Sequence, residues 1–153
     1  MRPRVLPLLA VAGLAVYLGA MLTEGCVMVP HWRALSPQEF LAWYAANDRR
    51  LIRFFGPLTV TSALLAVAAA VVAVRQRGPA RGPAVLAALL VVVAVVMFPL
   101  FFQGVNAAFA AGSISVEDVP AVLARWAFWH WVRTVLAAIA LGAALLASRR
   151  TVL

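Results

Sequence analysis

The stretch Arg125-Trp126-Ala127-Phe128-Trp129-His130-Trp131-Val132-Arg133 runs straight into the apolar segment Thr134 to Leu146. Between Arg133 and Arg149 lie 15 uncharged residues. They make about 22 Å of helix, whereas a bilayer core of about 30 Å needs roughly 20 residues. If this helix spans a membrane, Arg133 lies below its surface. At about 100° per residue, Trp126, His130, Arg133 and Ala137 share one face, which Ala140 and Ala144 continue as a stripe of small residues suited to close helix packing. Phe128 and Trp131 point the other way, as in an interfacial aromatic belt. Two readings of Arg133 are open. It snorkels to the headgroups while the tryptophans set the helix depth, or it faces the bundle and needs a partner, as functional intramembrane charges do. A lone His such as His130 more often makes a structural hydrogen bond than does chemistry.

Composition points the same way along the whole chain. Of 153 residues, 65% are hydrophobic and 12% charged, against about a quarter charged in soluble domains. The sequence therefore reads as an all-α integral membrane protein, a single domain over residues 1–153. The net charge of +8 comes from 13 Arg and no Lys. These arginines cluster at segment ends, as topology signals do, so no nucleic-acid partner is expected and the expected partner is the lipid bilayer. The lone Cys26 forbids an internal disulfide and excludes membrane oxidoreductases that relay electrons through paired thiols. Two arginines followed by 19 uncharged residues open the chain. That run exceeds a signal-peptide core and predicts a retained anchor helix.

The spacing predicts four spans, over residues 5–28, 57–74, 84–106 and 126–147, with an amphipathic helix over 37–55 between the first two. On the first span Gly13, Tyr17, Ala20 and Glu24 share a face, so Glu24 points at the bundle, either to pair with Arg133, to act as a base, or to sit in headgroup water. Pro30 is expected to end that helix, leaving His31-Trp32-Arg33 as an interfacial connection. Ser36-Pro37-Gln38-Glu39 carries an N-cap, an N1 proline and an N3 glutamate, a strong helix start. From there Phe40, Tyr44, Leu51 and Phe54 recur at helical spacing. Asn47 falls on that apolar face, where an amide needs partners, with capping or packing the commoner explanation. Gly56-Pro57 is expected to break the chain before the second span, whose Thr59, Thr61 and Ser62 cluster near the amphipathic helix. In the third span Pro99, Gln103 and Asn106 share a face. Pro99 should kink the helix and free a carbonyl near Val95. Residues 107–115 read as a flexible loop, and Asp118-Val119-Pro120 begins the last helix, with Glu117 and Asp118 suited to its positive end.

Placing the N-terminus inside puts seven arginines (2, 4, 75, 77, 81, 149, 150) in the cytoplasm against five outside (33, 49, 50, 53, 125). That margin predicts a multi-pass cell-membrane protein with both termini cytoplasmic. In either orientation Glu24, His31, Asn47, Gln103, Asn106, Trp126, His130 and Arg133 converge on one end of the bundle. One function compatible with this convergence is an enzyme with a pocket there for a hydrophobic aromatic molecule. Trp126, Trp129 and Tyr17 would supply flat walls, Arg133 would hold a phenolate or enolate oxygen, His130 or Glu24 would serve as base, and Gln103 and Asn106 would orient the substrate oxygen. The other is a non-catalytic module binding lipid or a partner protein, its polar residues acting as interhelical glue. Bis-His haem would need facing histidines, and His31 and His130 are the only two. A metal held by His130, His31, Glu24 and Cys26 lacks any spaced ligand motif.

The order of features resembles the anthrone-oxygenase-like family of small four-helix membrane proteins. The residues that carry the resemblance are the Gly25-to-Pro30 exit of the first helix, the amphipathic Ser36 to Arg50, Pro57, Pro99 followed by Asn106, and Trp126-x-x-x-His130-x-x-Arg133-Thr134. The chain departs from the family pattern at His130, where members often carry Asn. Most members have no assigned function. The resemblance implies oxidation of anthrones to anthraquinones by O₂ without metal, flavin or other cofactor, through deprotonation of an acidic aromatic and reaction of its carbanion with oxygen.

Overall fold

The computed structural model of the protein describes residues 5–150. The arginines at positions 2 and 4, counted in the topology, lie outside the described residues. Four helices account for nearly all of the rest: α1 (Val5–Ala34), α2 (Pro37–Gln76), α3 (Arg81–Ala111) and α4 (Val119–Arg150), each long and apolar enough to cross a membrane. Each packs against the next and α4 closes on α1, so the bundle runs up, down, up and down and both ends of the described chain lie at one face. The architecture is the expected all-α four-helix membrane bundle.

The helix boundaries differ from the sequence-based ones, chiefly where proline lies within a helix. Pro30 does not end α1, which continues to Ala34. Its missing N–H is absorbed by a π-helical turn at Glu24–Met28, where the Val29 N–H reaches back to the Glu24 carbonyl. Such a turn takes in one extra residue and re-aims the side chains around it. A second π turn, Phe98–Phe102, absorbs Pro99 in α3, with the Gln103 N–H bonded to the Phe98 carbonyl. The Val95 carbonyl expected to be free accepts from the Phe98 N–H instead. Gly56-Pro57 does not break the chain either. The amphipathic segment and the second span form one 40-residue helix with Pro57 inside it. Forty residues make about 60 Å, twice a bilayer core, so the first half of α2 extends beyond the apolar slab. The helical structure of residues 107–111 also corrects the loop expected there; the chain turns at Gly112, whose φ of 61° is a left-handed conformation that suits glycine.

The helix starts follow the expected chemistry. Ser36 and Glu39 form a reciprocal capping box, with the Ser36 N–H donating to Glu39 Oε2 at 2.8 Å and the Glu39 N–H to Ser36 Oγ at 3.4 Å. At α4 the Asp118 N–H donates to Ser115 Oγ and the Ser115 hydroxyl to Asp118 Oδ2.

The core changes character along the bundle axis. At the end shared by the chain termini it is built of alanines, including Ala70, Ala73, Ala84, Ala88 and Ala147, and small residues let backbones approach closely. At the opposite end it is aromatic: Trp32, Phe40, Tyr44, Phe102, Phe109 and Trp126 are buried together. Trp32, expected in an interfacial connection, lies at the centre of this cluster, against Phe40, Tyr44 and Trp126 at centroid distances of 5.4–6.0 Å. Bulky rings at one end and alanines at the other leave space between the helices where the two cores meet.

Candidate active site

That space is a cavity of about 270 Å³. Its polar wall contains Tyr17 and Glu24 from α1, Tyr44 and Thr59 from α2, Asn106 from α3, and Trp126 and Arg133 from α4. Leu51, Phe55, Val95 and Phe98 are among its apolar lining. For scale, a dry cavity of about 150 Å³ accommodates benzene.

Arg133 is the pivot. Its Nη2 donates to Glu24 Oε2 at 2.8 Å, across the α1–α4 interface, and the two side chains are 11% and 5% exposed. The guanidinium lies 4.1 Å from the Phe102 ring centroid and 5.6 Å from that of Trp126, so cation–π attraction fixes its plane as well as its position. Arg133 therefore belongs to the bundle interior and does not snorkel.

His130 is fully buried and spoken for on both ring nitrogens. Arg133 Nε and Nη2 lie 3.3 and 3.0 Å from its Nδ1. Arginine is a donor only, so Nδ1 must accept and the proton sits on Nε2. That proton points at the Met21 carbonyl, 3.0 Å away in the turn of α1 that precedes the π-helical segment. The 3.3 Å approach of Nδ1 to Glu24 Oε2 is then two acceptors sharing one arginine, not an ion pair. The ring stacks on Trp126 at 5.2 Å and an interplanar angle of 6°, and Thr134, one turn on, donates to the His130 carbonyl at 2.8 Å. His130 touches the Glu24–Arg133 pair without reaching the cavity wall.

Close approach at this point demands glycine. A Cβ on Gly25 would stand 2.9 Å from Trp131 Cζ2 and 3.0 Å from His130 Nε2. The π turn thus brings the α1 backbone against α4 beside the residue that supplies the carboxylate.

Asn106 ties α3 to α4. Its Oδ1 accepts from Trp126 Nε1 at 2.8 Å, and because an indole can only donate, the amide orientation is settled. Among the described residues nothing accepts from Asn106 Nδ2, and no donor reaches Glu24 Oε1. The cavity wall therefore offers one amide donor and one carboxylate acceptor.

Of the residues singled out in the sequence, Tyr17, Glu24, Asn106, Trp126 and Arg133 come together on this wall, with His130 behind them. Four do not reach it. His31 is exposed, its ring 6.1 Å from that of Trp43. Asn47 bonds back to the Trp43 carbonyl at 2.8 Å and contacts Arg50. Gln103 is exposed, and Trp129 is half-exposed against Phe101 and Phe128. Tyr44, Thr59 and Phe102 were not singled out. Tyr44 carried a signal, since it falls on the apolar face of the amphipathic segment, and Thr59 stood among the hydroxyls nearest it. Among the described residues no three potential metal ligands gather.

A family model described as anthrone oxygenase matches residues 40–143. This chain belongs to that family. The match takes in α2 from Phe40 onward, all of α3 and the site-bearing part of α4, and leaves Glu24 and Gly25 outside it. No curated protein and no solved structure matches the chain.

Proposed function

We propose that the protein is a cofactor-independent oxygenase of the cell membrane, with both termini cytoplasmic, that oxidises a hydrophobic anthrone- or quinol-like molecule held in this cavity. The observation that carries the reading is the Glu24–Arg133 pair at 2.8 Å on the wall of a cavity of about 270 Å³, in a chain of the anthrone oxygenase family.

Removing a proton from an aromatic ketone inside a bundle creates an anion where water is scarce, which is ordinarily prohibitive. Here the site already holds one carboxylate and one guanidinium. When Glu24 Oε1 takes the ring proton, the carboxylate becomes neutral and the substrate oxygen becomes the anion, so Arg133 exchanges one anionic partner for another. The number of charges in the low-dielectric site stays constant, and the desolvation cost has already been met in folding. Asn106 Nδ2 is a second donor available to the same oxygen. The carbanion then reacts with O₂ at ring carbon to give a peroxide, which loses water to yield the quinone. One anthrone and one O₂ become one anthraquinone and one H₂O, and the four electrons that reduce O₂ come from the substrate. In this scheme His130 is a positioning residue: it accepts from Arg133 and fixes the guanidinium, and its own proton is committed to Met21.

The test is O₂ consumption and quinone absorbance with an anthrone substrate, using protein purified in detergent. Wild type should turn over and Glu24→Gln should lose about 10²–10⁴-fold, the range of a general base. Absence of O₂-dependent turnover in wild type across a panel of anthrones and quinols would overturn the reading in favour of a module that binds lipid or a partner.

A further inference from the structure

The cavity has a side opening, with Gly56 in the middle of its rim. Ile52, Gly56 and Val60 are spaced four residues apart on α2 and all three line the cavity. Ile52 and Val60 are nevertheless 51% and 50% exposed on the outside of the bundle, as is Phe98 of α3 at 38%. Residues that face both a cavity and the exterior form its rim. In the middle of the α2 rim stands Gly56, and a Cβ built there would meet no atom within 4 Å. Glycine inside a helix is less favourable than alanine, and no packing contact demands it here. Beside it the cavity opens between α2 and the Phe98–Phe102 π turn of α3, with room for a larger side chain. That gap lies at the edge of the uncharged run 54–74, where the apolar slab begins, rather than at the solvated tip of the bundle, which the aromatic core fills.

We infer that the gap at Gly56, between Ile52 and Val60 on α2 and Phe98 on α3, is a lateral portal through which a membrane-dissolved aromatic molecule reaches the cavity from the bilayer. This rests on the reading of the cavity as a site for such a molecule, and it adds the source of the ligand. An aromatic with one or two oxygens concentrates at the boundary between headgroups and acyl chains, as amphipathic rings do, which is the level of the portal. It can slide in with its oxygen-bearing edge leading toward Asn106 and Arg133 without crossing water.

The test uses a thiol in the cavity and needs no turnover, so it remains readable if the oxygenase reading fails. Cys26 is the lone native thiol and is exposed; it is replaced by Ser, and Ala94, a buried residue on the cavity wall, is changed to Cys as the reporter. The protein is reconstituted in phosphatidylcholine vesicles and labelled with naphthylmaleimide, which partitions into bilayers, or with a sulfonated, membrane-impermeant maleimide. The naphthyl reagent should label Ala94→Cys and the sulfonated one should not. Adding Gly56→Trp should slow labelling at least about tenfold, a barrier increase of about 1.4 kcal/mol, whereas Gly56→Ala should leave it nearly unchanged. Phe98→Ala, which widens the opposite rim, should speed labelling and decides the matter should Gly56→Trp fail to fold. Equal labelling by both reagents, no labelling by either, or a rate indifferent to Gly56 and Phe98 would each overturn the portal.

Discussion

Removing the charge of Arg133 should cost far more than removing an exposed arginine, and the size of the loss follows from the geometry. Two unit charges 2.8 Å apart attract by about 6 kcal/mol at an effective dielectric of about 20. Most of that is offset by the desolvation of two nearly buried groups. What a single substitution exposes is the imbalance: Arg133→Leu leaves Glu24 buried without its cation and should destabilise the fold by about 3–5 kcal/mol. Glu24→Gln strands Arg133 in the same way. The double variant leaves no unpaired charge, so the two losses should fall short of additivity by about 2–3 kcal/mol. Arg133→Lys is a useful control, since it keeps the charge and loses both the flat stack on Phe102 and the bonds to His130, so its loss should be intermediate. Reversible unfolding in mixed detergent micelles, followed by tryptophan fluorescence, gives the four corners of the cycle. Additive losses, or an Arg133→Leu cost below about 1 kcal/mol as for an exposed ion pair, would refute the account of Arg133 as a paired interior cation.

Gly25→Ala should destabilise by about 1–3 kcal/mol through overpacking against Trp131 and His130. The loss should be visible in the same unfolding assay and accompanied by reduced turnover because Glu24 adjoins it. Trp126→Phe keeps a ring against His130 but removes the donor to Asn106 Oδ1, so stability should fall by about 1–3 kcal/mol, with the loss of a single indole N–H resonance. Unchanged stability would mean that the bond between α3 and α4 is not formed. For topology, cysteines introduced by Arg77→Cys and Ser113→Cys in a Cys26→Ser background should differ in intact cells, with an impermeant thiol reagent labelling the second and not the first. External labelling at position 77 would reverse the orientation proposed for the bundle.

What the sequence by itself determined was the four apolar runs, the helix start at Ser36 and the faces of α1 and α4 that carry Glu24 and Arg133. The interval from Arg133 to Arg149 is too short to span unless Arg133 lies below the membrane surface, on the face of α4 that carries Trp126, His130 and Ala137, and it was the bonds to Glu24 and His130 that decided between snorkelling and pairing. The same wheel on α1 put Glu24 on the packing face, and with no other acid both at the outer end of a span and on its packing face the pairing was legible. The capping box at Ser36 and the apolar spacing of Phe40 and Tyr44 were sufficient for the helix over 37–55.

The tertiary structure decided what proline and glycine do in context. Pro30, Pro57 and Pro99 each remove one backbone donor, and whether that ends a helix, leaves it straight or widens a turn depends on what packs around the carbonyls released. Here Pro30 follows a π turn, Pro99 lies within another, and Pro57 lies in a helix with no such turn. A π turn takes in an extra residue, so the segment beyond Pro99 is rotated relative to the one before it; Pro99 and Asn106 line the cavity while Gln103, expected on their face, turns outward. His130 likewise could not be assigned from its position. Its committed proton depends on a Met21 carbonyl brought within reach from 109 residues away along the chain. Trp32 moved from a connecting segment to the centre of the aromatic core for the same reason, since α1 did not stop at Pro30. The cavity and its opening at Gly56 exist only as the difference in width between an alanine-packed end and an aromatic one. That difference belongs to the assembled bundle, because no single helix contains both walls.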